Sequence, residues 1–213
     1  MQNKAIIITG HYGSGKTNIA VNLALDFASA GERVCVIDLD IVNPYFRTAD
    51  FGELFGEHDI RLIAPQYANT NLDIPSHGFD MAALIREYDR VIIDVGGDDA
   101  GAIALGQYAV ILQNFGYDML YVVNRFRFLT GTPEEAVQLL KDIEYVSKLT
   151  ATGVVNSSNL GAETTAEDVL GSVEYAQQAA DAAGIPLVFT AAERRLQLPQ
   201  FRGVEVYVRP FWE

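Results

Sequence analysis

The chain has 213 residues, enough for one domain with a full core, and its 49% hydrophobic and 20% charged residues are typical of a globular protein. The formal net charge of −13 argues against broad nonspecific nucleic-acid binding, because such binding needs a basic face that displaces phosphate counterions. The single cysteine, Cys35, excludes an internal disulfide and any Cys-x-x-Cys site for zinc or an iron–sulfur cluster.

The longest apolar region, residues 102–123, is interrupted by Gln107, Gln113, Asn114 and Asp118. These polar residues indicate a buried helix followed by a strand rather than a membrane span. No basic and apolar signal peptide opens the chain. We therefore expect a cytoplasmic protein without a membrane partner, with residues 1–213 forming one domain.

Apolar strand-like segments alternate with segments of helical periodicity along the whole chain. The predicted strands are 5–9, 33–38, 60–64, 91–94, 119–124, 153–156, 186–190 and 204–208. The predicted helices run from inside the 10–17 segment to near Gly31, and over 48–55, 80–88, 102–114, 133–148 and 167–183. This alternation predicts a three-layer α/β/α fold with a mostly parallel sheet of about seven or eight strands.

The first strand and the first helix flank a glycine-rich segment with the pattern G-x-x-x-x-G-K-[ST]. The segment is Gly10-His11-Tyr12-Gly13-Ser14-Gly15-Lys16-Thr17. Strand, glycine loop and helix in this order form a phosphate-binding P-loop, whose backbone N–H groups and helix N-terminus bind phosphate oxygens. Lys16 can reach the β- and γ-phosphates of a nucleotide, and the Thr17 hydroxyl can ligate Mg²⁺.

Carboxylates follow two further strands at the edge where open α/β sheets bind ligands. Asp38 ends the second predicted strand and Asp40 lies two residues beyond it, where the two can meet a metal or orient a water. The fourth strand ends in Asp94, the position from which P-loop NTPases hold Mg²⁺. Gly97 then allows a backbone N–H to approach the γ-phosphate, and Asp98 and Asp99 lie where an acid could position water.

These segments resemble the MinD/ParA/Mrp class of P-loop ATPases, in the CobQ/CobB/MinD/ParA superfamily. The resemblance rests on four segments of the sequence. They are 10–18 (the P-loop segment extended to Asn18), 31–34, Ile37-Asp38-Leu39-Asp40 and Ile93-Asp94-Val95-Gly96-Gly97-Asp98. The segment 94–98 is also similar to the nitrogenase iron protein of the same superfamily.

The resemblance implies ATP with Mg²⁺ as the ligand and an ATP-dependent homodimer that acts on an unidentified protein partner. It implies that Asp40 positions the attacking water and that Asp94 with Gly97 forms the second nucleotide-sensing switch. It places Asn156, at the end of the sixth strand, at the adenine edge. The expected catalytic residues are Lys16, Asp40 and Asp98, the metal ligands Thr17, Asp40 and Asp94, and the nucleotide-binding residues 10–18, Gly97 and Asn156.

Two departures from the family pattern bear on the activity. His11 and Tyr12 replace the lysine and the glycine that usually follow the first P-loop glycine, and that lysine reaches the phosphates of the other subunit. The paired cysteines of the iron protein are also absent, and the sequence of residues 207–213 does not predict a basic amphipathic helix. Arg47, Arg125 and Arg127 are expected near the site, where they can contact phosphate, a partner or solvent.

Three functions remain open at the level of the sequence. The first is a slow ATPase that acts as a dimeric regulatory or assembly switch. The second is an ATP-dependent metabolic enzyme of the dethiobiotin-synthetase or cobyrinate-amidase type, whose acid substrate would lie against the 66–78 loop. The third is a nucleotide sensor with negligible turnover, which the replacement at His11 favours.

Overall fold

The computed structural model of the protein describes residues 1–40, 48–64, 79–97 and 99–208. Its strands β1 to β8 are Ala5–Gly10, Val34–Leu39, Arg61–Ile63, Arg90–Val95, Tyr117–Val123, Gly153–Asn156, Leu187–Glu193 and Arg202–Val204. Its helices α1 to α7 are Lys16–Ser29, Gly52–Glu57, Met81–Glu87, Asp99–Gly106, Ala109–Phe115, Pro133–Ser147 and Ala166–Ala183. No helix in these ranges is long and apolar enough to cross a membrane.

All eight strands lie in one parallel sheet, in the order β3-β2-β4-β1-β5-β6-β7-β8. β1 lies between β4 and β5, so the chain crosses over β1 on its way from one half of the sheet to the other. Such a switch point leaves a crevice at the carboxyl ends of the strands, which is where open α/β sheets bind ligands. The glycine-rich loop follows β1 and therefore lies in that crevice.

The core has two layers, one on each face of the sheet. Ile7, Ile37 and Ile93 belong to the cluster that also contains buried residues of α3, α4, α5, α6 and α7. Ile6 and Ile92 point to the opposite face, in the cluster that contains buried residues of α1 and α2. Alternating residues of fully buried strands thus serve both faces, which is why these strands are continuously apolar. The predicted three-layer α/β/α architecture is confirmed.

The single helix that we predicted over 102–114 is wrong in its extent, because the chain forms two helices there. α4 ends at Gly106, and α5 begins after Tyr108, whose ring stacks on Phe79 with centroids 5.4 Å apart. A Cβ at Gly106 would lie 3.2 Å from the Val146 carbonyl of α6, so the glycine allows a close approach of the two helices. Glycine also lowers helix propensity, so the chain bends at this contact.

The last strand ends earlier than the predicted 204–208. β8 pairs with β7 only from Arg202 to Val204, because β7 itself ends at Glu193, the partner of Val204. The following residues are held by side chains of α1: the Asn22 Oδ1 atom accepts a hydrogen bond from the Glu205 amide at 2.8 Å. The segment after β8 is therefore bound to the first helix instead of extending the sheet.

Candidate functional site

The loop between β1 and α1 has the backbone that a phosphate cradle needs. Gly10, Gly13 and Gly15 all have positive φ angles, of 147°, 73° and 94°. A Cβ at Gly10 would lie 2.3 Å from the Val122 carbonyl oxygen, so no larger residue fits beside β5. Gly15 is the left-handed N-cap of α1, and its geometry turns the chain from the loop into the helix.

Lys16 and Gly97 meet at one side of this loop. The Lys16 side chain is 7% exposed, and its ammonium donates a hydrogen bond to the His11 carbonyl at 3.1 Å. A Cβ at Gly97 would lie 2.6 Å from the Tyr12 nitrogen and 2.9 Å from the Lys16 Nζ. The segment after β4 therefore touches the P-loop directly, and a glycine at position 97 is what permits the contact.

Asp94 and Thr17 form a hydrogen-bonded pair below the loop. The Thr17 hydroxyl donates to Asp94 Oδ2 at 2.8 Å, while the buried Asp94 Oδ1 has no hydrogen-bond partner among the described residues. Burial, and next the charge of Asp38 on the adjacent strand, raise the pKa of Asp94 to about 7, although Lys16 and Thr17 act in the opposite direction. A carboxylate in this position needs a further cation to stabilise its charge.

This arrangement fits Mg²⁺ as a ligand of the P-loop. A threonine hydroxyl and a carboxylate oxygen are hard donors of the kind that Mg²⁺ takes, and Mg²⁺ usually completes its shell with water and substrate phosphates. In the described ranges, no cluster of three His, Cys, Asp or Glu side chains could hold a metal ion. Thr17 and Asp94 are the residues that would hold Mg²⁺, and the expected contribution of Asp40 stays a prediction.

Asp40 lies at the mouth of the same site. Its backbone N–H donates to Asp38 Oδ1 at 2.9 Å, and its half-buried side chain lines a large cavity that begins at the P-loop. The buried Asp38 thus fixes the turn that presents Asp40. Asp98, Arg47 and the 66–78 loop, which we named on the sequence, lie outside the described residues.

A cavity of about 750 Å³ extends from the P-loop towards the ends of β6, β7 and β8. The sequence did not indicate several residues of its far wall, namely Ser157, Asn159, Glu193, Arg194, Arg195 and Glu205. The signal that could have found most of them is their position, because they follow predicted strands at the same edge of the sheet as the P-loop. The cavity is large enough for a nucleoside next to the phosphate loop.

Two asparagines expected at the nucleotide are engaged in protein contacts. Asn156 is fully buried; its amide donates to Ser172 Oγ at 2.8 Å, and its Oδ1 accepts from the Ser158 N–H at 3.1 Å. Asn18 donates to the Glu205 carbonyl at 3.0 Å and accepts from the Tyr207 N–H at 2.9 Å. Contact with a nucleotide would require either side chain to leave these partners, and both roles stay predictions.

The two arginines after β5 have different surroundings. Arg127 donates from Nε to the Gly13 carbonyl at 3.0 Å, so it touches the P-loop. Arg125 turns the other way, towards the Gly171 carbonyl of α7 and the ring of Phe126. Only Arg127 of this pair lines the large cavity.

His11 provides no charge in place of the missing lysine. The pKa of its half-buried imidazole is lowered, first by burial and then by the positive charge of Lys16. The ring is therefore neutral at about pH 7. Tyr12 beside it is 57% exposed and forms part of the outer rim of the loop.

A model of the CobQ/CobB/MinD/ParA nucleotide binding domain matches residues 5–187 of the chain. The chain belongs to this family. Nucleotide binding is the property that the family shares, and the P-loop geometry agrees with it. No individual curated protein matches the chain in sequence.

Solved structures with the same fold include the signal recognition particle receptor FtsY. FtsY from Mycoplasma mycoides has a TM-score of 0.65 at 17% identity, over 96% of this chain and 64% of that chain. FtsY from Elizabethkingia anophelis in complex with GDP has a TM-score of 0.59 at 20% identity, over 92% of this chain and 60% of that chain. The chain thus spans less than two thirds of these proteins, and the likeness shows the fold alone.

Proposed function

We propose that the protein binds Mg²⁺-ATP and hydrolyses it slowly, as a nucleotide-dependent dimeric switch that acts on a protein partner. The observation that carries the proposal is the Thr17–Asp94 pair at 2.8 Å below the P-loop, with the second Asp94 oxygen buried and unpartnered. A buried carboxylate of raised pKa next to Lys16 is the arrangement that a metal-bound triphosphate would complete. We also propose that the protein is located in the cytoplasm, where ATP is available.

In the proposed reaction, the residues of the chain bind and orient a triphosphate. The P-loop N–H groups and Lys16 hold its β- and γ-phosphates, and Asp40, at the mouth of the site, accepts a hydrogen bond from the attacking water. Thr17 and Asp94 would hold Mg²⁺, which would supply neutralisation of the phosphate charge. Loss of the γ-phosphate then releases the segment that touches the P-loop through Gly97.

The choice of ATP over GTP rests on the family resemblance of the motifs. The far wall of the cavity presents Glu193, Arg194 and Arg195, but their side chains are already paired within the protein. Competition between ATP and GTP for a fluorescent nucleotide decides the point directly. We expect ATP to displace the probe at a concentration at least about 10-fold lower than GTP, the factor that one additional good hydrogen bond provides.

A nucleotide sensor with negligible turnover is the second candidate, and the neutral His11 favours it. The lysine that His11 replaces would contribute to catalysis, so its loss slows hydrolysis more than it weakens binding. The proposed dimer would then report which nucleotide is bound without consuming it.

Product analysis with purified protein separates the functions. Phosphate release from Mg²⁺-ATP without added acid supports the slow ATPase. Tight binding without measurable phosphate release supports the sensor. ADP formation only when a small carboxylic acid is added would contradict both proposals and indicate a metabolic enzyme.

A further inference from the structure

Arg127 contacts the P-loop at Gly13. Its Nε–H donates to the Gly13 carbonyl at 3.0 Å, and a Cβ at Gly13 would lie 3.3 Å from Nε and 3.7 Å from Cζ. The guanidinium group therefore occupies the space that a side chain at position 13 would take. From there it lines the same cavity as Lys16 and Thr17.

The turn that carries Arg127 is tied down by buried polar groups. The Arg127 N–H donates to the Asn124 carbonyl at 3.1 Å, and the Thr130 hydroxyl donates to that carbonyl at 3.0 Å. The fully buried Asn124 side chain accepts hydrogen bonds from the Phe126 and Asn159 N–H groups. The backbone thus presents Arg127 to the P-loop from a fixed position.

The charge of Arg127 has no counterpart in the described part of the chain. No ion pair there includes it. Arg125 in the same loop has no ion pair there either, but its guanidinium donates to the Gly171 carbonyl, away from the cavity that Arg127 lines. In a protein of net charge −13, a cation without a carboxylate partner beside a phosphate loop is suited to an anionic ligand. Its Nε bond to Gly13 leaves the Nη donors for that ligand.

We propose that Arg127 binds the phosphate chain of the nucleotide, as a second cation that the same subunit supplies beside Lys16. The inference rests on the proposed function, because it assigns a ligand contact within that site. A guanidinium group presents a planar fork of N–H donors that matches two phosphate oxygens, a bidentate geometry that a lysine ammonium lacks. Arg127 thus provides from within the chain part of the positive charge that the residue at position 11 lacks.

The test compares Arg127→Gln and Arg127→Lys, with Arg125→Gln as the matched control in the same loop. The probes are Mg²⁺-ADP and inorganic pyrophosphate, the second of which has phosphates but no base or ribose. Glutamine keeps an N–H donor for the Gly13 carbonyl but loses the charge, while lysine keeps the charge. We expect Arg127→Gln to weaken the binding of both probes about 10-fold or more, and Arg127→Lys to recover at least half of the lost free energy. Arg125→Gln should change neither affinity.

Three results would overturn the inference: unchanged binding in Arg127→Gln, weaker binding of ADP but not of pyrophosphate, or equal losses in the glutamine and lysine variants. The second result would place Arg127 at the base or ribose, and the third would make its role structural. Thermal melting checks that the exposed substitutions leave the fold intact. Lys16→Ala, measured alongside, separates this inference from the proposed function: if Lys16→Ala still binds ADP, the nucleotide site itself is wrongly assigned.

Discussion

Asp94 is buried near the carboxyl end of β4. The protein stabilises the charge of its carboxylate only in part. Its pKa is raised to about 7, first by burial and then by Asp38, so the folded state retains a proton that the unfolded chain loses near pH 4. As the pH rises from about 4 to about 7, the folded state binds more protons than the unfolded state, and the free energy of unfolding therefore decreases. Above about pH 7 this contribution becomes constant.

This titration predicts that Asp94→Asn stabilises the protein in the absence of ligand, although the same substitution should weaken Mg²⁺-dependent ATP binding. Without Mg²⁺ and nucleotide, the variant should be more stable than the wild type at about pH 8, by an amount on the order of a few kcal/mol, and of similar stability at about pH 4. Urea unfolding at both pH values measures the difference. A variant that is less stable than the wild type at the higher pH would show that the carboxylate is well stabilised in the apo protein.

Substitutions of Asp40 and of Asp94 should differ in whether they impair ATP binding or ATP hydrolysis. Asp94→Asn removes the proposed metal ligand, so it should weaken Mg²⁺-dependent ATP binding itself. Asp40→Asn should bind Mg²⁺-ATP normally but release phosphate on the order of 10²-fold more slowly, the typical contribution of a group that positions the proton transfer. Titration calorimetry and a phosphate-release assay on both variants measure the two effects. Identical defects in both would remove the distinction between the two roles.

At the scale of the elements, the contact between the P-loop and the segment after β4 links two parts of the site. A methyl group at position 97 would come within 2.6 Å of the Tyr12 backbone nitrogen, so Gly97→Ala must displace one of the two segments. We expect it to weaken ATP binding at least about 10-fold while the fold is retained, because overpacking costs roughly 1–3 kcal/mol. Gly56→Ala, where nothing lies within 4 Å, is the control and should leave binding unchanged. Equal affinities in both variants would refute a role for this contact.

The sequence predicted elements well where local signals and burial agree. β6 was predicted with its exact observed bounds, Gly153–Asn156, and α6 begins at Pro133, the first residue of the predicted helix. The sequence failed where the deciding contact is distant. The break between α4 and α5 depends on the approach of α6 to Gly106, and the end of β8 depends on the end of β7 and on Asn22 of α1.

Prediction of the site from the sequence was likewise limited by contacts between distant residues. Its P-loop, Thr17 and Asp94 could be placed from the sequence, because strand order and motif spacing bring them to one edge of the sheet. The bonding of Asn156 to Ser172 and of Arg127 to Gly13 joins residues that are far apart in the chain, so no local pattern indicates it. The direction of a side chain depends on such contacts, and contacts between distant residues cannot be predicted from the sequence of one protein.

At the scale of the whole molecule, the replacement at His11 predicts a weak dimer. The proposed dimer has two subunits that face each other across two nucleotides, and each lacks a lysine that would reach the partner's phosphates. His11→Lys combined with Tyr12→Gly restores the family pattern, so it should tighten the ATP-bound dimer and raise the rate of phosphate release. The gain can reach about 10³-fold, the effect of comparable charged groups in phosphoryl transfer.

Sedimentation with a nonhydrolysable ATP analogue, together with a phosphate-release assay, measures both effects. The wild type should be mainly monomeric without nucleotide and should associate weakly with the analogue. Fast hydrolysis by a wild type that stays monomeric under all conditions would contradict the dimeric switch and favour a metabolic enzyme.

The central claim, that the loop after β1 binds a Mg²⁺-nucleotide, is tested most directly by titration calorimetry of Mg²⁺-ATP into the wild type and Lys16→Ala. Lys141→Ala, which removes an exposed lysine on α6, is the control for the loss of one charge. We expect saturable binding to the wild type and to Lys141→Ala, and no detectable binding to a folded Lys16→Ala, because that lysine serves the phosphates as a point charge. Unchanged ATP affinity in Lys16→Ala would contradict nucleotide binding by the loop after β1.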